Sequence, residues 1–164
     1  MKRKHLGITA LLVVGFALGP AHEGQADEDA ARLQQIASRG IGFLRSRGQA
    51  ADGSFSGAIG PAVTALATTA LLQHGVSPQD GTVSRALRYL EKFVQPDGGI
   101  YQSGTYYKNY ETSLALICFQ AANKEGRYKK LVADAERFLK DLQWDQGEGK
   151  DKSDFAFGGQ GYGK

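Results

Sequence analysis

A helix followed by a glycine turn occurs three times in this chain, and this pattern constrains the fold more than any other feature. The clearest copy, VSRALRYLEKFVQPDGGIY, covers residues 83–101 and joins an amphipathic helix to an Asp-Gly-Gly turn. An upstream copy covers residues 40–55. A less regular copy begins at residue 134 and closes with the aromatic and glycine run of residues 155–163.

The three copies are nearly evenly spaced. Leu44, Leu90 and Leu139 each follow an aromatic residue and lie 46 and 49 residues apart. A period of this size indicates a repeat protein in which each unit is one supersecondary structure. No segment shows the clear alternation of a strand. We therefore predict an all-α fold built of helical hairpins.

The first 26 residues have the layout of a secretory signal peptide. Three basic residues at positions 2–4 precede an apolar run over residues 6–18, and Gly24 and Ala26 supply the small side chains of a cleavage site. The run is too short to span a bilayer comfortably. We expect cleavage and export to the periplasm or the extracellular medium, with retention as a membrane anchor as the alternative. No second apolar run is long enough to span.

The charge of the remaining chain argues against nucleic acid as a partner. The full sequence has 20 Lys+Arg against 17 Asp+Glu, and removal of residues 1–26 leaves a net charge of +1. Nucleic-acid binding needs a clustered basic face. Cys118 is the single cysteine, so no internal disulfide can form. Its apolar helical surroundings predict a buried, unreactive thiol.

Three segments place apolar residues at spacings of three and four, which predicts outer helices with one buried face. The predicted buried positions are Leu33, Ile36, Ala37, Gly40, Phe43 and Leu44 in the first, Val83, Ala86, Leu87, Leu90, Phe93 and Val94 in the second, and Leu131, Val132, Ala135, Phe138, Leu139 and Leu142 in the third.

Two further helical segments, residues 62–72 and 112–122, carry no charge. The first follows Pro61, which suits the first turn of a helix, and ends before Gly75, a predicted left-handed cap. Such a helix is buried on all sides or lines an apolar cavity. A closed double ring of inner and outer helices explains this better than an open solenoid, which leaves one face of each helix wet.

The turns resemble a known repeat. The residues concerned are Gln49, Asp52, Gly53 and Phe55 in the first copy, Gln95, Asp97, Gly98 and Tyr101 in the second, and Gln143, Trp144, Gly158 and Gly159 in a third copy with an insertion. They resemble the Gln-x-x-Asp-Gly-x-Trp repeats of squalene and hopene cyclases and of protein prenyltransferase β-subunits. The resemblance covers about residues 32–163 and implies an α/α toroid.

Within residues 27–164 we expect two hairpins and half of a third, whereas a six-hairpin ring needs roughly 280 residues. The predicted fold is thus an incomplete toroid, a piece of a longer repeat protein. The motif residues have structural roles in this interpretation: Asp-Gly reverses the chain, the Gln amide satisfies backbone groups, and the aromatic covers the junction. The alternative is that Gln49, Asp52, Gln95 and Asp97 face a cavity.

The sequence has no catalytic motif. Cyclases of the family that it resembles protonate an alkene with an Asp-x-Asp-Asp acid, and no such segment occurs here. Asp151 and Asp154 form the nearest acidic run, which we interpret as solvated loop. The prenyltransferases imply a zinc set of Asp, Cys and His, but Cys118 and His74 fall in different units. We predict no metal and no cofactor.

These observations predict an exported binding or interaction scaffold without catalysis. Tyr106, Tyr107, Tyr110 and Glu111 are the candidate lining residues of a pocket for either an apolar, isoprenoid-like ligand or a carbohydrate-like ligand; loop packing is the alternative. The open repeat end predicts a protein partner or self-association. The alternative function is the N-terminal part of a squalene/hopene cyclase-like enzyme whose catalytic acid lies beyond Lys164.

Overall fold

The computed structural model describes residues 23–161, and side-chain surroundings from residue 27 onward. The predicted signal peptide therefore lies outside the described residues, except for its last four, which begin helix α1. Residues 162–164 lie outside as well. The chain divides into two compact units at Gln35 and Ile36, and each is described by itself.

The described residues are mainly helical, as predicted. The helices are α1 (Glu23–Phe43), α2 (Ala62–Gln73), α3 (Gly81–Glu91), α4 (Lys108–Ala122) and α5 (Lys129–Asp141). A π-helical turn, Leu44–Gly48, extends α1, and 3-10 turns occupy Gly57–Ile59 and Gln146–Glu148. Residues 23–161 contain no strand beyond isolated bridges at Val94 with Ile100 and Gln143 with Gln160. None of these helices is long and apolar enough to cross a membrane.

Helices α2 and α4 pack side by side and run parallel. At their N-terminal ends, Gly60 lies against the Glu111 carboxyl, which is 3.0 Å from the place of a Cβ on Gly60. At their C-terminal ends, the side chains of Thr69 and Cys118 share a hydrogen bond. Because α2 and α4 run parallel, the chain must return along the helix pair before α4 begins. The connection that does so contains α3.

Helices α3 and α5 are the return helices, since α3 packs on α2 and α5 packs on α4. Their apolar faces supply Val83, Leu90 and Ala135 to the buried core, in agreement with the predicted stripes. Asp80 begins α3 as its N-cap, accepting a hydrogen bond from the Thr82 amide at 2.9 Å.

The predicted buried stripe of the first outer segment is wrong for four of its six members, the exposed Gly40 and three large apolar residues. Leu33, Ile36 and Phe43 are exposed, whereas Ile41 and Leu44 are partly buried and pack against the core. An apolar side chain is buried only where another element lies against it. Within the second unit, the covered part of α1 begins near Ile41. Likewise, the predicted burial of Val94 is wrong, because α3 ends before it.

Helices α2 and α4, the predicted inner helices, are not buried on all sides. The prediction of complete burial is therefore also wrong. Leu66 on α2 and Ile117 on α4 are each 48% exposed, and Val63 and Leu114 are partly buried. These positions recur at spacings of three on each helix, so each helix leaves an uncharged stripe outside the core. The alternative prediction for such segments, that they line an apolar cavity, remains.

Two buried threonines hold the turns that precede α2 and α4. The Phe55 amide donates to Thr64 Oγ1 at 3.0 Å, and the Thr64 hydroxyl lies 3.3 Å from Phe55 O. The Ile100 amide and carbonyl make the same two contacts with Thr112, at 3.0 and 3.4 Å. In the structure, Ile100 is therefore the residue equivalent to Phe55. The sequence motif instead places Tyr101 at the position equivalent to Phe55.

The glycine of each turn packs directly on the backbone of the following return helix. Gly53 and Gly98 have φ values of 94° and 90°, in the left-handed region. A Cβ on Gly53 would lie 2.5 Å from Arg85 O in α3, and one on Gly98 would lie 2.9 Å from Asp134 O in α5. Both positions thus require glycine for the turn and for the close approach.

Two motif glutamines make the same contact across turns of different length. Gln49 Nε2 donates to Gly53 O at 3.0 Å and also to Thr82 O at 2.8 Å. Gln143 Nε2 donates to Gly158 O at 2.9 Å. Gly158, like Gly53, has positive φ. The hydrogen bond that closes the short first turn therefore also closes the long last loop.

We expect Thr64→Val to destabilise the protein by about 1–3 kcal/mol, because it leaves the buried Phe55 amide and carbonyl without their partner. Thr68→Val is the matched control, since the Thr68 hydroxyl donates only to Thr64 O within its own helix, at 2.6 Å. Urea unfolding of both variants measures the difference. Equal costs at the two positions would contradict the assigned role of Thr64.

Gly53→Ala should cost more than Gly75→Ala, although both replace a glycine with positive φ. A Cβ on Gly75 meets nothing within 4 Å, so this variant has only the conformational cost of about 1–2 kcal/mol. At Gly53 the added methyl also overlaps Arg85 O, and α3 must move. Thermal and urea unfolding compare the two. A smaller loss for Gly53→Ala would refute the proposed close packing.

Candidate functional site

The acidic residues of the turn motifs are engaged within their own turns. Asp52 Oδ1 accepts hydrogen bonds from the amide and the hydroxyl of Ser54, at 3.0 and 2.7 Å. The hydrogen bond from the Ser54 amide is the main cause of the lowered pKa of the Asp52 carboxyl. Asp97 Oδ1 accepts from the Gly99 amide at 3.0 Å. Such contacts are those of turn-forming aspartates.

Gln95 and Tyr101 complete the second turn. Gln95 Nε2 donates to Tyr101 O at 2.8 Å, and the Tyr101 hydroxyl donates to Asp97 Oδ2 at 2.5 Å. Burial, followed by the contact with Asp97, raises the pKa of Tyr101 to about 12. In the third copy, the Trp144 amide donates to Gly159 O at 2.8 Å. These groups hold loops together and leave little capacity for a ligand.

An open cavity of about 220 Å³ lies between the N-terminal ends of α2 and α4. Its wall is mainly apolar and aromatic. The lining residues are Ile59, Ala62, Val63, Tyr107, Tyr110 and Glu111. Three of the four pocket residues predicted from the sequence are thus brought together here. The fourth, Tyr106, is 86% exposed and is not part of the wall.

Glu111 is the one ionisable carboxyl among the described residues of this wall, and it is only 4% exposed. Its Oε2 accepts a strong hydrogen bond from the Gln102 amide at 2.7 Å. Its Oε1 has a single long contact, 3.4 Å from the Thr105 hydroxyl. Glu111 forms no ion pair with any described residue. Oε1 therefore keeps most of its capacity to accept.

Burial raises the pKa of the Glu111 carboxyl, and the hydrogen bonds from Gln102 and Thr105 oppose this rise. Removal from water disfavours the charged form of a carboxyl. The position of Glu111 in the first turn of α4 favours the charged form, because the helix N-terminus carries about half a positive charge. The pKa of the Glu111 carboxyl therefore depends on the charge of the groups beside it.

Glycine at position 60 makes room for this carboxyl. A Cβ there would lie 3.0 Å from Glu111 Oε1 and 3.2 Å from Gln102 Oε1. Two acceptor oxygens thus lie near the same backbone position, beside the apolar wall. No cationic side chain is among the described lining residues, and the Lys108 ammonium lies over the Tyr101 ring, 5.3 Å from its centroid.

The residues considered for a metal do not come together. Cys118 is fully buried, and burial raises the pKa of its thiol to about 12, which keeps it protonated. His74 is exposed at the C-terminal end of α2. Among residues 23–161, no group of three or more His, Cys, Asp or Glu side chains is arranged to hold a metal ion.

The acidic run of the last loop is also engaged locally. Asp151 Oδ1 accepts from the hydroxyl and the amide of Ser153, at 2.5 and 2.7 Å, and Asp154 Oδ2 accepts from Lys150 Nζ at 2.8 Å. These hydrogen bonds lower the pKa values of both carboxyls. An acid that protonates an alkene must instead stay protonated, so neither residue suits that role.

A second cavity, of about 280 Å³, lies at the opposite ends of the inner helices. Its wall includes the two loops that lead into α3 and α5, with Gln79, Lys124 and Arg127. Two of these side chains already have partners, since Gln79 bonds Glu125 at 3.4 Å and Arg127 pairs with Glu91 at 3.3 Å. We therefore take the first cavity as the candidate site.

Several residues of the site are not evident from the sequence. Ile59, Val63 and Gln102 enter it through the turns and through the parallel packing of α2 and α4, neither of which leaves a motif. Gly60 gave one weak signal, because glycine followed by proline marks a turn. Thr64 and Thr112 gave another, since they are polar residues within charge-free helices.

Comparison with protein-family models, with curated proteins and with solved structures finds no match to this chain. The resemblance in the turn motifs thus stays a prediction. The function of the site has to be inferred from its geometry and its electrostatics.

Glu111→Gln should change how stability depends on pH. The folded-state pKa of Glu111 is raised above its value of 4.5 in model compounds, so the folded protein binds the proton more tightly than the unfolded chain. The unfolding free energy of the parent should therefore fall as the pH rises from the pKa of Glu111 in the unfolded chain through its raised pKa in the folded protein. Position 111 of the variant does not titrate, so the variant should lack this fall.

Urea unfolding between pH 4 and pH 7.5 tests this expectation, because the stability of the variant relative to the parent should increase with pH. Glu125→Gln, at an exposed position, is the control and should show little difference at any pH. A relative stability that decreases with pH would contradict the raised pKa.

Proposed function

We propose that the described hairpins are part of an α/α toroid and that the chain is an exported, non-catalytic scaffold that binds an apolar ligand. Two features support the toroid. The inner helices α2 and α4 are parallel neighbours, each with its own return helix. The threonine contacts and the glycine contacts recur from the first turn to the second.

The cavity at the N-terminal ends of α2 and α4 is the observation that carries the binding function. Its six lining residues include two tyrosines and two branched aliphatic side chains, which suit an apolar or isoprenoid-like molecule. Pockets that bind small molecules combine such walls with a few polar groups that orient the ligand. Here the polar group is Glu111.

The alternative is a cyclase-like enzyme whose catalytic acid lies beyond Lys164. Its support is the family resemblance of the turns. Among the described residues, Glu111 is the one carboxyl whose pKa is raised. A carboxyl that accepts a strong hydrogen bond from an amide at 2.7 Å is a weak candidate for an alkene-protonating acid.

Geraniol, a ten-carbon isoprenoid alcohol, is a suitable probe for a cavity of this size. With about 0.3 kcal/mol per heavy atom, we expect a Kd in the millimolar range. Val63→Trp should fill the cavity and reduce binding at least tenfold. Leu66→Trp adds the same ring to the exposed part of the same helix, outside the cavity, and should leave binding unchanged.

Ligand-observed NMR titration measures both affinities, and circular dichroism checks that both variants are folded. Loss of binding in Val63→Trp alone supports the cavity as the site. Equal binding by parent and Val63→Trp, or no saturable binding by the parent, would refute the proposed function.

A further inference from the structure

We propose that the cavity prefers ligands that carry a primary ammonium group on an apolar body, with the ammonium held by Glu111 Oε1. This inference rests on the proposed function and names the ligand class of the same site. It depends on one feature, a buried carboxyl that has no ionic partner among residues 23–161 and that lies beside an apolar and aromatic wall.

The hydrogen bonds of Glu111 leave one oxygen for a ligand. Oε2 is held by the Gln102 amide at 2.7 Å, which orients the carboxyl. Oε1 has one contact of 3.4 Å with Thr105. A carboxylate oxygen accepts about two hydrogen bonds, so Oε1 can accept at least one more from a ligand.

A second acceptor lies near Gly60, as Glu111 Oε1 does. Gln102 Oε1 and Glu111 Oε1 are 3.2 and 3.0 Å from the place of a Cβ on Gly60. The two oxygens therefore approach the same small space, which the absent side chain of Gly60 leaves open. A group with several donors fits two converging acceptors better than a hydroxyl does, and an ammonium has three donors.

The local charge also favours a cation. Glu111 contributes a full negative charge when ionised, and the N-terminus of α4 contributes about half a positive charge. The balance is negative, and none of the described lining residues is basic. The rings of Tyr107 and Tyr110 form part of the wall. Aromatic faces attract ammonium groups through the ring quadrupole.

Geranylamine and geraniol form a matched pair, because they share one apolar skeleton and differ in the head group. We expect geranylamine to bind at least about tenfold more tightly, as a charge-assisted hydrogen bond is stronger than a neutral one. Geranic acid, which places a second carboxylate beside Glu111, should bind more weakly than either. NMR titration at pH 7 measures all three.

Glu111→Gln should remove the preference for the amine, so that geranylamine and geraniol bind the variant with about equal affinity, because Gln keeps an acceptor for the backbone amide of Gln102 but carries no charge. Tyr110→Leu keeps the wall apolar and should weaken geranylamine binding about two- to fivefold. Tyr106→Ala is the control, since Tyr106 lies outside the cavity and should have no effect.

Geraniol binding that Val63→Trp abolishes, without any preference for the amine, would overturn this inference and leave the proposed function intact. An amine preference that persists in Glu111→Gln would also overturn it. If neither probe binds the parent protein, both the inference and the proposed function fail.

Discussion

The hydrogen bonds of Thr64 and Thr112 with the turns before α2 and α4 are the interactions on which the rest of the structure depends. Each turn enters the core at a residue that is almost fully buried, Phe55 or Ile100. A buried amide or carbonyl without a partner costs about 1–3 kcal/mol. One hydroxyl satisfies both groups of the residue, so the turn can lie under the inner helix rather than in water.

Once the turn is held there, the position of the site follows. The chain must leave the turn and begin the inner helix within a few residues, which places residues 57–61 and 102–107 together at one end of the helix pair. Gly53 and Gly98 allow the same turns to contact the return helices directly. The turns therefore connect α2 and α4 with the return helices α3 and α5, and they also form the rim of the cavity.

Glu111 belongs to both the fold and the site. It holds the loop after Tyr101 through the Gln102 backbone amide, and among residues 23–161 it supplies the only carboxyl of the cavity wall. Burial without an ionic partner is costly for a charged carboxyl. The hydrogen bonds and the N-terminus of α4 offset part of this cost. What remains is a site whose electrostatics favour a positively charged occupant.

The sequence by itself determined the helical class, the ends of α2 at Pro61 and Gly75, and the buried faces of α3 and α5, because spacing, proline and glycine act locally. It did not determine whether the apolar stripes on α1, α2 and α4 are buried or exposed. Whether Phe43, Leu66 or Ile117 is covered depends on which elements lie against it, and no local pattern contains that information. The tertiary structure also decided that Tyr107, Tyr110 and Glu111 share a cavity with Ile59 and Val63 while Tyr106 does not. The reason is physical: a pocket is formed where two parallel helices and their turns meet, and only the packing of α2 against α4 brings those distant residues together.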